Sequence, residues 1–200
     1  MIRLQPGLLR LAMILALAQF AVMVFPTDFV LYALNRYRWG VGAVSAVLTA
    51  FGVCSAIVQL GLSGRVVRTF GEPRVIIGGL ACGVVGLLIF GLAPTGVAFI
   101  VGIPIMTLWG VSGPAVQSLM TRQVSASEQG RLQGANTSLG SLSGVIAPLM
   151  FGGLLTAVTT VVQSGKAAPP LLGAPFFLAG GIVLLAAVLA IRVRPARLRV

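Results

Sequence analysis

Side chains able to do chemistry are few in this chain, and most of them lie inside long apolar runs. Asp28, in Phe25-Pro-Thr-Asp-Phe29, is the one acid flanked on both sides by such a run. Gln19, Gln59, Gln117 and Asn136 place one amide in each of four different runs, and Trp109 adds an indole. An amide can hydrogen-bond a passing molecule without burying a charge, and an indole offers an apolar stacking face. Such groups suit the binding and release of a compound more than its conversion. Histidine is absent and no nucleophile–base pair is visible, so an enzyme is not expected. Cys54 and Cys82 sit singly in apolar runs without a CxxC spacing, which points away from a metal or redox centre and implies no cofactor.

Each of these residues also has a plainer reading. The amides could simply bond one helix to the next, worth about 0.6 kcal/mol each in measured membrane proteins. Asp28 lies 17 residues beyond Leu11, about 26 Å along a helix, and so near the outer membrane interface. There it would be a solvated carboxylate drawn to Arg36 or Arg38, or else a cation-attracting or protonatable group lining an outer vestibule.

The elements that must hold these groups follow from composition. Of 200 residues, 58% are hydrophobic and only 8% charged, whereas a soluble domain carries roughly a quarter charged residues. The surface must therefore face lipid. A net charge of +11 could signal nucleic acid, but the arginines fall in short breaks between apolar runs and are not interleaved with aromatics as a base-stacking groove requires.

About 20 apolar residues cross a bilayer, and six segments qualify: Leu8–Leu34, Val41–Leu62, Val75–Leu92, Val97–Met120, Ala126–Ala157 and Pro175–Ile191. The first is too long for a signal peptide and lacks a small-residue cleavage site. The breaks are expected at Asn35 to Trp39, Ser63 to Arg74, Ala93 to Thr95, Thr121 to Ser125 and about Thr159 to Ala174. With the N-terminus inside, the inner segments hold eleven basic residues and the outer ones only Arg36, Arg38 and Lys166. The positive-inside rule then puts both termini in the cytoplasm. The chain is expected to be one all-α membrane domain over residues 1–200, a six-helix bundle.

Smaller signals support that bundle. Ser125-Ala-Ser-Glu128 is a capping box for the fifth helix. Gly79 with Gly83, and Gly140 with Gly144, have the GxxxG spacing that lets helix backbones approach. Pro26, Pro104, Pro114 and Pro148 fall in four spans, where each can kink its helix for gating or merely adjust its shape. The basic stretch Arg192 to Arg199 anchors the last helix in lipid headgroups.

Two strings carry a family resemblance. Gly64-Arg-Val-Val-Arg68-Thr-Phe-Gly71-Glu-Pro-Arg74 resembles the cytoplasmic loop motif of the major facilitator superfamily, with Gly64, Gly71 and Arg74 in place and Arg68 where the motif has an acid. Gly113 to Val124, Glu128 to Gly134 and Ala147-Pro148-Leu149 resemble the tenth and eleventh helices of its tetracycline-efflux branch. Tyr32, Arg36 to Trp39 and Gly52 are similar to that branch around the seventh and eighth. The resemblance implies helices 7–12 of a twelve-helix drug:proton antiporter, in a bacterial inner membrane. It implies a small amphiphilic substrate, exported by alternating access, and an N-terminal six-helix half as partner.

Because Met1 stands where the central loop would be ending, a split gene, a truncated frame or an engineered half is expected. Self-association of this half, or a non-transporting assembly partner, are the alternatives. One departure stands out. Where tetracycline carriers have an aspartate in the ninth helix, this chain has Gly83, which argues against tetracycline itself as substrate.

Overall fold

The computed structural model describes residues 6–192. Arg3 and the basic tail beyond Arg192, with Arg194, Arg197 and Arg199, lie outside the described residues. The helices are α1 (Pro6–Val22), α2 (Val24–Tyr37), α3 (Val41–Ala56), α4 (Ser63–Phe70), α5 (Glu72–Leu92), α6 (Gly96–Leu108), α7 (Ser112–Thr121), α8 (Gln129–Gln163) and α9 (Ala174–Ile191). They join into six spans long and apolar enough to cross a membrane: Gly7–Tyr37, Val41–Phe70, Glu72–Leu92, Gly96–Thr121, Ala126–Gln163 and Pro169–Ile191. Among the described residues there is no strand. The all-α six-helix architecture expected from the sequence is the one observed.

Lipid offers no hydrogen bonds to a bare backbone, so the helices run further than the charged residues suggested. The second span continues through Arg65 and Arg68 to Phe70, the first through Arg36 to Tyr37, and the fifth to Gln163. A long arginine stem can lie along its helix while the guanidinium reaches the headgroups. Arg65 shows one such posture, with Nη1 donating to the Gly61 carbonyl one turn back at 2.8 Å. The chain reverses instead at Gly71, whose φ of 78° carries no steric penalty without a Cβ. Glu72 and a proline then open α5, where an acid complements the free amides of the first turn. The fifth span starts as expected, with the Glu128 carboxylate accepting from the Ser125 amide at 3.2 Å and its hydroxyl at 2.8 Å.

Contacts at the two ends show how the spans alternate. At one end Arg10 Nη1 donates to the Arg192 carbonyl at 2.5 Å, and Arg122 pairs with Glu72 at 2.9 Å. At the other, Tyr37 donates to the Ala93 carbonyl at 2.9 Å and Gln163 Nε2 to Asn35 Oδ1 at 3.2 Å. Arg10, Arg65, Arg68, Arg74, Arg122, Arg131 and Arg192 thus gather at a basic end. Arg36, Arg38 and Lys166 sit at the opposite one, which is rich in aromatics. There Phe90 and Phe99 stack at 4.1 Å, with Phe29, Tyr32 and Phe176 packed around them.

The third span, α5, is central and packs against α6, α7 and α9. The second and fifth spans lie at the margins: 17% and 22% of their most apolar stretches are buried, against 39–50% elsewhere. Leu60 on the second and Leu149 on the fifth are 89% and 74% exposed, so these two faces await lipid or another protein surface.

Of the four prolines, two coincide with breaks. Pro26 cannot bond to the Val22 carbonyl, and α1 gives way to α2 at Met23. Pro114 likewise cannot bond to the Gly110 carbonyl, and the fourth span tightens to a 3₁₀ turn over Trp109–Val111. Pro104 and Pro148 lie within helices that continue past them. The second span instead widens to a π turn over Ile57–Leu62.

Candidate functional site

These departures from α geometry sit together. The π turn carries Gln59, the 3₁₀ turn carries Trp109, and α1 brings Gln19 between them. The three line one cavity of about 260 Å³, completed by Leu15, Val22, Phe51, Ser55, Met106, Thr107 and Ser112. Gln59 reaches toward the fourth span, where a Cβ built on Gly110 would lie 3.8 Å from its Cγ. Gln19 reaches toward the fifth, where a Cβ on Gly140 would fall 2.8 Å from its Oε1.

The hydroxyl protons of Thr107 and Ser112 are taken up by the carbonyls of Pro104 and Trp109, at 2.9 and 2.8 Å. Those oxygens keep only acceptor capacity toward the cavity. The wall is apolar over most of its area, with two amides and an indole as its directional groups. It can hold a small amphiphile by shape, stacking and a few hydrogen bonds.

Gly83 is why Trp109 can sit here. A Cβ on Gly83 would come within 2.8 Å of the indole Cγ and Cδ2, so the ring lies flush on the α5 backbone. Gly79 and Gly86 make similar approaches to Ser112 and Met106, and the expected Gly79–Gly83 contact is a real helix interface. The second GxxxG pair divides. Gly140 meets Gln19, while nothing stands within 4 Å of Gly144, which is on the marginal face of the fifth span.

The remaining candidates go elsewhere. Gln117 is exposed on α7, and Asn136 is buried on α8 outside the cavity wall. The loop-motif residues Gly64 and Arg68 line a separate basic cleft of about 640 Å³, together with Arg65, Pro114 and Ser118. Gly71 makes the turn, and Arg74 faces an apolar groove on the other side. A contact not foreseen closes this end: Glu72 Oε1 accepts from the Ser118 hydroxyl at 2.7 Å and pairs with Arg122 at 2.9 Å.

Asp28 is neither solvated nor ion-paired. It is fully buried, and both carboxylate oxygens lack a hydrogen-bond partner. Arg36 donates instead to the Ala93 carbonyl at 3.5 Å. Cys54 and Cys82 are free and half-buried, and among the described residues no cluster could hold a metal.

Phe51 and Ser55 were not singled out from the sequence, yet they stand eight and four residues before Gln59, on the same helical face. Reading that face backward from the glutamine would have found them. Met106 and Thr107 carried no such signal.

Six helices long and apolar enough to cross a membrane make this an integral membrane protein, and three of them line a small amphiphilic cavity. The sequence pattern of the Major Facilitator Superfamily matches residues 11–200, and the chain belongs to that family. It is similar to the class C tetracycline resistance protein of Escherichia coli, 33% identical over 64% of this chain and 32% of that protein. It is also similar to the class G tetracycline resistance protein of Vibrio anguillarum, 34% identical over 64% of this chain and 33% of that one. A weaker likeness is to the human Hippocampus abundant transcript 1 protein, 24% identical over 63% and 26%. The matched stretch spans about a third or less of each relative's length.

Proposed function

We propose that this chain forms one six-helix half of a secondary-active efflux transporter for small amphiphilic compounds. The cavity lined by Gln19, Gln59 and Trp109 carries the reading. It opens among the first, second and fourth spans, and the sparsely buried second and fifth spans suit a partner surface beside it. An N-terminal six-helix half, or a second copy of this one, would complete the enclosure.

The fold supports alternating access, because the three irregular turns at Met23, Ile57–Leu62 and Trp109–Val111 are places where helices can bend. The relatives named for tetracycline resistance favour export of a drug-like compound, with protons as counter-ion. Gly83 speaks for a substrate other than tetracycline, since Trp109 fills the space that an acid there would need. The basic end belongs in the cytoplasm of a bacterial cell by the positive-inside rule.

The test is efflux. Cells lacking their own drug pumps, expressing this chain with its N-terminal half, should keep a fluorescent amphiphilic cation at a lower internal level than cells with either half alone. Trp109→Ala and Gln59→Ala should each cut that difference about tenfold or more at unchanged protein level. Equal accumulation in all strains, across a panel of such dyes, would remove the reading.

A further inference from the structure

Asp28 is a group the cavity does not use. It faces the fifth span at Gly152, where a built Cβ would lie 3.8 Å from Oδ1. Among the described residues neither oxygen has a hydrogen-bond donor. Burying an ionised carboxylate without a partner is so costly that such a group takes up a proton instead.

Among the described residues no compensating charge faces it from a packed element. The helices α3 and α6, which meet α2 at Phe51 and Phe99, contain no charged residue, and α5, which meets it at Phe90, carries Glu72 and Arg74 at its opposite end. On α8 the charged residue is Arg131, 21 residues before Gly152, about 30 Å along the helix. On α1 it is Arg10, 18 residues away, about 27 Å. The helix α9 and the turn Pro169–Gly173 contain no titratable side chain. On α2 itself Tyr32 donates to the Phe90 carbonyl at 2.8 Å, while Arg36 and Tyr37 are directed to Ala93.

The seam between α2 and α8 supplies a second, independent observation. The pairs Asp28 with Gly152 and Asn35 with Gln163 show the two helices running in the same direction. Seven residues further along each, about 10 Å, lie Asn35 and Thr159, and the Thr159 hydroxyl is a second buried polar atom without a partner. Beyond it the seam opens into a polar cavity of about 290 Å³ lined by Asn35, Arg38, Thr159 and Gln163. A buried acid, an orphaned hydroxyl and a polar cavity thus follow one another along a single helix contact. The glycine at Gly152 leaves the acid's side of that contact without a side chain to hold it shut.

We infer that Asp28 is a proton-binding site, taking up its proton from the aromatic end through the α2–α8 seam and carrying it in the packed arrangement. The step is a simple protonation. A lone pair on the carboxylate forms the O–H bond, and the hydronium in the polar cavity that gives up the proton is left as water. That this proton is the one exchanged for substrate rests on the transport reading above; the proton binding does not.

The protein has just three acidic side chains, Asp28, Glu72 and Glu128, which makes infrared spectroscopy decisive. The whole chain in lipid nanodiscs at neutral pH should show one protonated-carboxyl C=O stretch. It should vanish in Asp28→Asn, persist in Glu72→Gln, and return shifted in Asp28→Glu. Absence of the band in the unaltered protein, or its survival in Asp28→Asn, overturns the proposal.

For coupling, affinity for the fluorescent cation should rise with pH by up to about tenfold per unit, the slope of one competing proton. It should be flat in Asp28→Asn. A pH slope kept by Asp28→Asn refutes the coupling. No dye binding at any pH, with the infrared band intact, would sink the transport reading and leave the proton site standing.

Discussion

A few individual residues decide what this bundle can hold. Trp109 rests against the bare backbone at Gly83, and the closeness of that contact has a measurable consequence. Gly83→Ala should cost about 1–3 kcal/mol through overpacking, read as a lower thermal unfolding midpoint in detergent. In the double variant with Trp109→Ala that loss should largely disappear, because the methyl then has room. Additive losses would mean the indole does not occupy the place described. Asp28 teaches the opposite lesson about reading residues singly. Its distance along the helix put it near an interface, and the reading of a solvated acid followed from that alone. What the count could not show was which face of α2 meets the fifth span, where Asp28 is buried against Gly152.

At the scale of the element, the irregular turns matter more than the regular helices. Pro114→Ala would return the amide that Gly110 lacks and let the α geometry run through Trp109–Val111, swinging the indole off the cavity wall. We expect affinity for the amphiphilic cation to fall about tenfold with the unfolding midpoint unchanged or raised. Unaltered affinity would show that the 3₁₀ turn plays no part in binding.

The six spans themselves were legible from apolar run length, because lipid demands continuous helices of one minimum size. Helix ends were less so, since arginines at Arg65 and Arg68 read as a loop although their stems lie along a helix. The cavity was legible in part. Polar groups at membrane depth drew attention to Gln19, Gln59 and Trp109, but the same rule also picked Gln117 and Asn136. A π turn and a 3₁₀ turn set which side chains converge, and neither leaves a clear trace in composition.

The whole molecule poses the question of what covers the second and fifth spans. Both are far less buried than the other four, and the second lines the cavity. A cysteine placed at Leu149 should crosslink to a partner half, or to another copy, in the membrane. A cysteine at Leu184, equally apolar and 53% exposed on the sixth span, should not. Crosslinking at both or at neither would show that the margins are ordinary lipid-facing surface.

The central claim is that the amides and indole line a passage for substrate. It is tested most directly by Gln59→Cys in a chain with Cys54 and Cys82 replaced by alanine, co-expressed with its partner half. A membrane-impermeant maleimide should label position 59, and the transported amphiphile should slow that labelling at the concentrations that saturate efflux. A cysteine there that stays unlabelled from both sides of the membrane in a transporting protein, or is labelled at a rate substrate does not alter, would contradict the account.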